Sequence, residues 1–148
     1  MADTQRLDEW LTALLTRLSA GERKTLMREV ARTLRQQQQA RIRLQKNPDG
    51  TAYAPRRATS RHKTGRIRRQ MFSKLRTAKY LKATASADVA GVEFTGAVQR
   101  IARVHHYGLR DRVRPGGAVV QYEQRQLLGL EEQQTRLIAD KIVAHLGR

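Results

Sequence analysis

Apolar residues open the chain at helical spacing. Leu7, Trp10, Leu11, Leu14, Leu15 and Leu18 recur at i, i+3, i+4 and i+7, which gathers them into one stripe of an amphipathic helix. Ser19, with Glu22 three residues on, has the form of a capping box and starts a second helix. Leu26, Met27, Val30 and Leu34 give that helix an apolar face, so residues 1–46 predict a helical hairpin. Past Leu34 the stripe fades into Gln36 to Gln39, Arg41 and Arg43. These residues favour helix but bring nothing apolar to bury, so the helix is expected to run out into solvent. Asn47-Pro48-Asp49-Gly50 ends it, because proline cannot continue a helix and Asp-Gly supplies a turn.

From Thr51 to Arg69 periodicity is lost and bases accumulate, so residues 47–69 read as an extended basic loop or arm that orders against a partner. Ile67, Met71, Phe72, Leu75 and Ala78 predict a short helix. Leu81, Ala83 and Ala85 then alternate with Lys82 and Thr84, and Ala90, Val92 and Phe94 with Gly91, Glu93 and Thr95. The link Ser86-Ala87-Asp88 has hairpin length, which makes the two runs antiparallel strands. Val98, Ile101, Ala102 and His105 predict another short helix, with Gly108 as its cap. Pro115-Gly116-Gly117 marks a turn, and Val119 to Tyr122 a third strand.

Glu131 and Glu132 stand where a helix dipole favours anions, Lys141 and Arg148 toward its other end, and Ile138, Ile142 and Leu146 form the apolar face between them. The expected fold class is α+β in one domain spanning 1–148: N-terminal helices over 1–46, the basic arm over 47–69, short helices and a small antiparallel sheet over 70–130, and a C-terminal helix over 131–148.

Charge sharpens this picture. The formal net charge is +17, and its distribution is uneven. Residues 1–30 are neutral overall, residues 31–82 carry +15 with Asp49 as their single acid, and residues 83–148 carry +2. Such a field attracts nucleic acid, anionic lipid or an acidic protein face. No apolar run approaches the roughly 20 residues of a membrane span. With neither span nor signal peptide, the chain is expected to be made and kept in a cytoplasm-like compartment.

Candidate chemistry is sparse. Without cysteine there are no disulfides and no thiolate nucleophiles or metal sites. The four histidines have no carboxylates at ligand spacing, and neighbours such as His105 and His106 point about 100° apart on a helix. Gly116-Gly117 lacks the context of a phosphate cradle, so no cofactor is expected. Arg56, Arg57, Arg61, Lys63, Arg66, Arg68, Arg69, Lys74 and Arg76 are the candidate interaction residues, each able to meet a phosphate or a carboxylate. Aromatic residues make up only 5% of the chain, too few for a base-stacking platform. Non-specific nucleic-acid binding through residues 31–82 therefore stands as one function, and sequence-specific reading does not.

An ordered set of short motifs resembles the phage virion-morphogenesis family, the tail-completion proteins of contractile-tailed temperate phages. It comprises Asn47-Pro48-Asp49-Gly50 with Tyr53 and Pro55-Arg56; Met71-Phe72 with Lys74 to Thr77; Phe94-Thr95-Gly96; Ile101 to Asp111; and Leu127-Leu128-Gly129-Leu130. Glu123 and Gln126 stand where the family often has prolines. The resemblance implies a structural, non-enzymatic protein of the virion, assembled in the host cytoplasm and placed at the head–tail junction. It would finish the head-proximal end of the tail and enable head–tail joining. The implied partners are tail tube or terminator and neck proteins, met as a homo-hexameric ring matching the six-fold tail. No membrane or small-molecule substrate is implied. Residues 41–82 would reach an acidic surface on a neighbouring subunit or ring, and non-specific contact with genomic DNA is a second use of the same charges. His105, His106, Tyr107, Gly108, Leu127, Leu128 and Gly129 are the implied structural or interface residues.

Overall fold

The computed structural model describes residues 2–16, 18–56 and 70–146. In chain order they form α1 (Ala2–Leu15), α2 (Ala20–Arg43), β1 (Leu81–Ala85), β2 (Ala90–Phe94), α3 (Gln99–Tyr107), β3 (Arg110–Arg112), β4 (Val119–Gln121) and α4 (Glu132–Leu146). The class is α+β. The chain divides into two compact units, one of residues 1–36, 83–93 and 132–148, the other of residues 37–82 and 94–131.

The first unit is built on the apolar faces that the sequence shows. Leu26, Met27 and Val30 of α2 meet Ile138 and Ile142 of α4 in a buried cluster, and Trp10, Leu18, Leu34, Ala85, Ala90 and Leu146 pack against it. Ser19 does cap α2: its Oγ accepts the Glu22 N–H at 3.2 Å, satisfying one of the free donors of the first turn. The β1–β2 hairpin closes where Ser86 N–H donates to Val89 O, while Ser86 Oγ accepts from Asp88 and Val89 N–H. Arg23 reaches Asp88 at 3.2 Å, an exposed pair of small energetic weight.

The second unit holds the last turns of α2, the loop after it, α3, the β3–β4 ribbon and a segment without regular structure from Tyr122 to Glu131. Ile42, Leu81 and Leu127 are fully buried in it, and Phe94, Ala102 and Val104 nearly so. Every motif that carries the family resemblance falls within this unit.

Several expectations are corrected. The end of α2 does not run out into solvent: Gln38 and Arg41 are only 3% exposed and Ile42 is wholly buried. Polar side chains can be buried there because each finds partners, as shown below. Residues 41–56 and 70–82 accordingly belong to a folded unit, and only 57–69 of the expected arm lie outside the described residues. The helix expected from Ile67 is, over the described Met71–Tyr80, a run of turns. Phe72 adopts φ 65°, which no right-handed helix contains. The single small sheet is two separate two-stranded sheets: β4 pairs with β3, not with β1 or β2. The reason is local, since the turn at Pro115–Gly117 folds β4 back on the strand just before it, with Val113 N–H donating to Ala118 O at 3.0 Å.

Candidate functional site

Beyond Tyr122, whose N–H donates to Leu109 O at 3.1 Å, the segment to Glu131 has no ladder to satisfy its backbone, so its amides and carbonyls must find other partners. Groups from three directions supply them. From α2, the Arg41 guanidinium donates to Leu127 O and Gly129 O, both at 2.9 Å, and to Gln38 Oε1 at 2.7 Å. Gln38 Oε1 also accepts the Gly129 N–H at 3.0 Å, so the two α2 side chains grip both polar groups of Gly129. From the loop after α2, Asn47 Oδ1 accepts the Gln126 N–H at 2.8 Å and Tyr53 Oη donates to Gln126 O at 2.7 Å. From α3, His105 O accepts the Arg125 N–H at 2.8 Å and His106 Nδ1 accepts the Leu127 N–H at 3.1 Å. Arg125 returns the contact, donating through Nε to Ala54 O and through Nη2 to Pro55 O. The segment is thereby strapped down at consecutive residues, and Leu127 between the straps is fully buried.

Aromatic rings brace the same region. Tyr53, Phe72, His105 and Tyr122 meet edge to face in succession, with centroids 5.6, 5.0 and 4.9 Å apart. The left-handed backbone of Phe72 is held by this sandwich between Tyr53 and His105. Gln45, also at positive φ, ends α2 and uses its amide like a strand partner: Nε2 donates to Met71 O and Oε1 accepts the Met71 N–H.

Burial sets the electrostatics. Desolvation lowers the Arg41 pKa, opposed by Tyr53 and Glu131, and pushes the Tyr53 hydroxyl up to about 12 against the pull of Arg41 and Arg125. Desolvation, aided by Arg125, lowers His105; desolvation, aided by Arg41, lowers His106. A neutral His106 is what the geometry demands, because Nδ1 must keep a lone pair for Leu127. A histidine depressed in the folded state stabilises fully above its unfolded pKa of about 6.5, and that contribution is lost as pH falls through the lower folded value. The melting temperature is therefore expected to fall between neutral and mildly acidic pH, and His106→Asn, whose oxygen can still accept, should flatten part of that slope. A wild-type melting temperature that is constant or rises toward pH 5 would contradict this.

The residues expected from the sequence fall into three groups. His105, His106, Gly108, Leu127, Leu128 and Gly129 come together around the strapped segment, with Gly108 against the Gln124 backbone, while Tyr107 stays 60% exposed. Arg56 and Lys74 are exposed and Arg76 is half-buried. Arg57, Arg61, Lys63, Arg66, Arg68 and Arg69 lie outside the described residues. Sequence reasoning missed Gln38, Arg41, Asn47 and Arg125 as anchors; the available signal was the i, i+3, i+4, i+7 spacing of Gln38, Arg41, Ile42 and Gln45. Among the described residues no group of three His, Asp or Glu could hold a metal ion, and no helix is long and apolar enough to cross a membrane.

Among the described residues this geometry builds a frame of hydrogen bonds and ring contacts around the buried Leu127. No solved structure matches the chain. Over 150 residues, the whole of both proteins, it is 43% identical to Tail completion protein S of Escherichia phage P2. The model of the phage virion morphogenesis family matches residues 2–147, and the chain belongs to that family.

Proposed function

We propose that this chain completes the phage tail at its head-proximal end and readies it for joining to the filled head. The observation that carries the reading is the full-length identity to a tail completion protein. Its family is structural rather than enzymatic, so the work is done by docking. In this reading the whole chain acts as one domain, α1 and α2 pair as a hairpin, and the protein sits in the virion as a ring matched to the six-fold tail. The basic tract, Arg56 to Arg69 with Lys74 and Arg76, reaches an acidic surface of a neighbouring tail or neck protein. The strapped frame around His105–Gly108 and Leu127–Gly129 holds the subunit rigid for that contact.

The test is complementation. Phage with a nonsense mutation in the gene for this protein should form no plaques on a non-suppressing host, and wild-type protein supplied from a plasmid should restore them. Plaque formation that is indifferent to the mutation contradicts the reading. The net charge of +17 supports the second function, non-specific nucleic-acid binding. That function predicts normal tails and altered DNA handling in the same mutant.

A further inference from the structure

The β3–β4 ribbon has a charge asymmetry that the chain-wide count hides. Register pairs Arg110 with Gln121, Asp111 with Val120 and Arg112 with Val119. Because side chains alternate across a strand, Asp111 and Val120 share one face and Arg110, Arg112, Val119 and Gln121 share the other. Burial follows that alternation, with the middle residue of each strand half-buried and the outer ones exposed. Arg100 on α3 donates to both Asp111 carboxylate oxygens, at 2.6 and 3.2 Å, which turns the Asp111 face toward α3 and occupies the acid. Among the strand residues, the outward face carries two guanidinium groups, that of Arg112 also donating to Gly117 O at 3.2 Å, and no carboxylate. Arg114 at the ribbon tip, also exposed, extends the positive field.

We propose that this outward face is a docking surface for an acidic, partly apolar protein surface at the end of the phage tail; the proposal rests on the tail-completion reading above. Composition selects a protein over nucleic acid. Val119 is 50% exposed beside Arg112, and Val113 is 60% exposed at the tip. Arginine set among half-exposed apolar side chains is the make-up of a protein interface, whereas a phosphate backbone offers valine nothing to bury against. Charge also selects against a matching ribbon from a second copy, since like guanidiniums would oppose each other along the unpaired strand edges. An acidic partner satisfies both the guanidiniums and the valines, with the arginines supplying bidentate geometry as well as charge.

The experiment uses full-length protein and purified tails assembled without it, scored by co-sedimentation. Wild-type protein is expected to bind, and Arg110→Glu with Arg112→Glu is expected to weaken binding at least about tenfold, with an unchanged melting temperature showing that the fold survives. Arg110→Lys with Arg112→Lys should retain part of the affinity, and excess duplex DNA should not displace the wild-type protein. Equal binding of wild-type and reversed protein overturns the ribbon proposal alone. Duplex DNA that displaces the wild-type protein and binds it more tightly than the reversed protein also overturns it and assigns the face to nucleic acid. Failure of the wild-type protein to bind tails overturns the tail-completion reading, and the ribbon proposal with it.

Discussion

Replacing Arg41 with methionine is expected to destabilise the second unit by about 3 kcal/mol, read as a fall in the urea midpoint at unchanged slope. Methionine fills much of the volume, so the loss is chiefly polar. Leu127 O and Gln38 Oε1 each lose a charge-assisted donor in a buried place, and Gly129 O loses one in a half-buried place. Lysine keeps the charge but cannot span three acceptors with a planar fork, so Arg41→Lys should recover only a minority of the loss. Because Gln38 serves Arg41 and Gly129 together, the losses from Arg41→Met and Gln38→Leu should couple by about 1 kcal/mol or more in a double-mutant cycle. A loss below about 0.5 kcal/mol for Arg41→Met would mean that the straps do not hold the segment.

Gly108→Ala is expected to cost about 3 kcal/mol, from two separate causes. Gly108 caps α3 in the left-handed region at φ 65°, where its N–H donates to Val104 O. A Cβ there would also stand 2.9 Å from Gln124 N and 3.0 Å from Gln124 Cα. Backbone cannot swing aside as a long side chain would, least of all in a segment strapped on its far side. Gly50 separates the two causes: its φ is 88°, but a Cβ would meet nothing within 4 Å. Gly50→Ala should therefore cost only the conformational part, about 1 kcal/mol. Equal thermal destabilisation by the two substitutions would show that the contact with Gln124 carries no weight.

These sites show where the sequence was informative. Apolar periodicity located the cluster of Leu26, Met27 and Val30 with Ile138 and Ile142, because a hydrophobic stripe needs only its own spacing to be seen. The β1–β2 alternation and the Gly108 cap were legible for the same reason, since local chemistry decides each of them. Arg41 was not legible. Its stripe with Gln38, Ile42 and Gln45 has helical spacing, but a glutamine or arginine can be buried only if hydrogen-bond partners are waiting. Those partners, two carbonyls for Arg41 and an amide N–H for Gln38, lie 86 to 91 residues away in sequence. The turn at Pro115–Gly117 and β4 were legible, but β3 and the ribbon it forms were missed because β3 is Arg-Asp-Arg, with no apolar position to alternate, and because its arginines vanish into a net +2 over residues 83–148. The helix expected around Phe72 failed through a tertiary effect, the ring being taken up between Tyr53 and His105 at the expense of helical backbone. The basic tract, the loudest signal in the sequence, has most of its candidate residues outside those described.

Electron microscopy of tails from phage lacking this protein, beside tails from the parent, tests completion of the tail. Tails lacking the protein are expected to have normal length but defective head-proximal ends that stay unjoined to filled heads, with joining recovered when the purified protein is added. Tails lacking the protein that show normal ends and join to filled heads would contradict it.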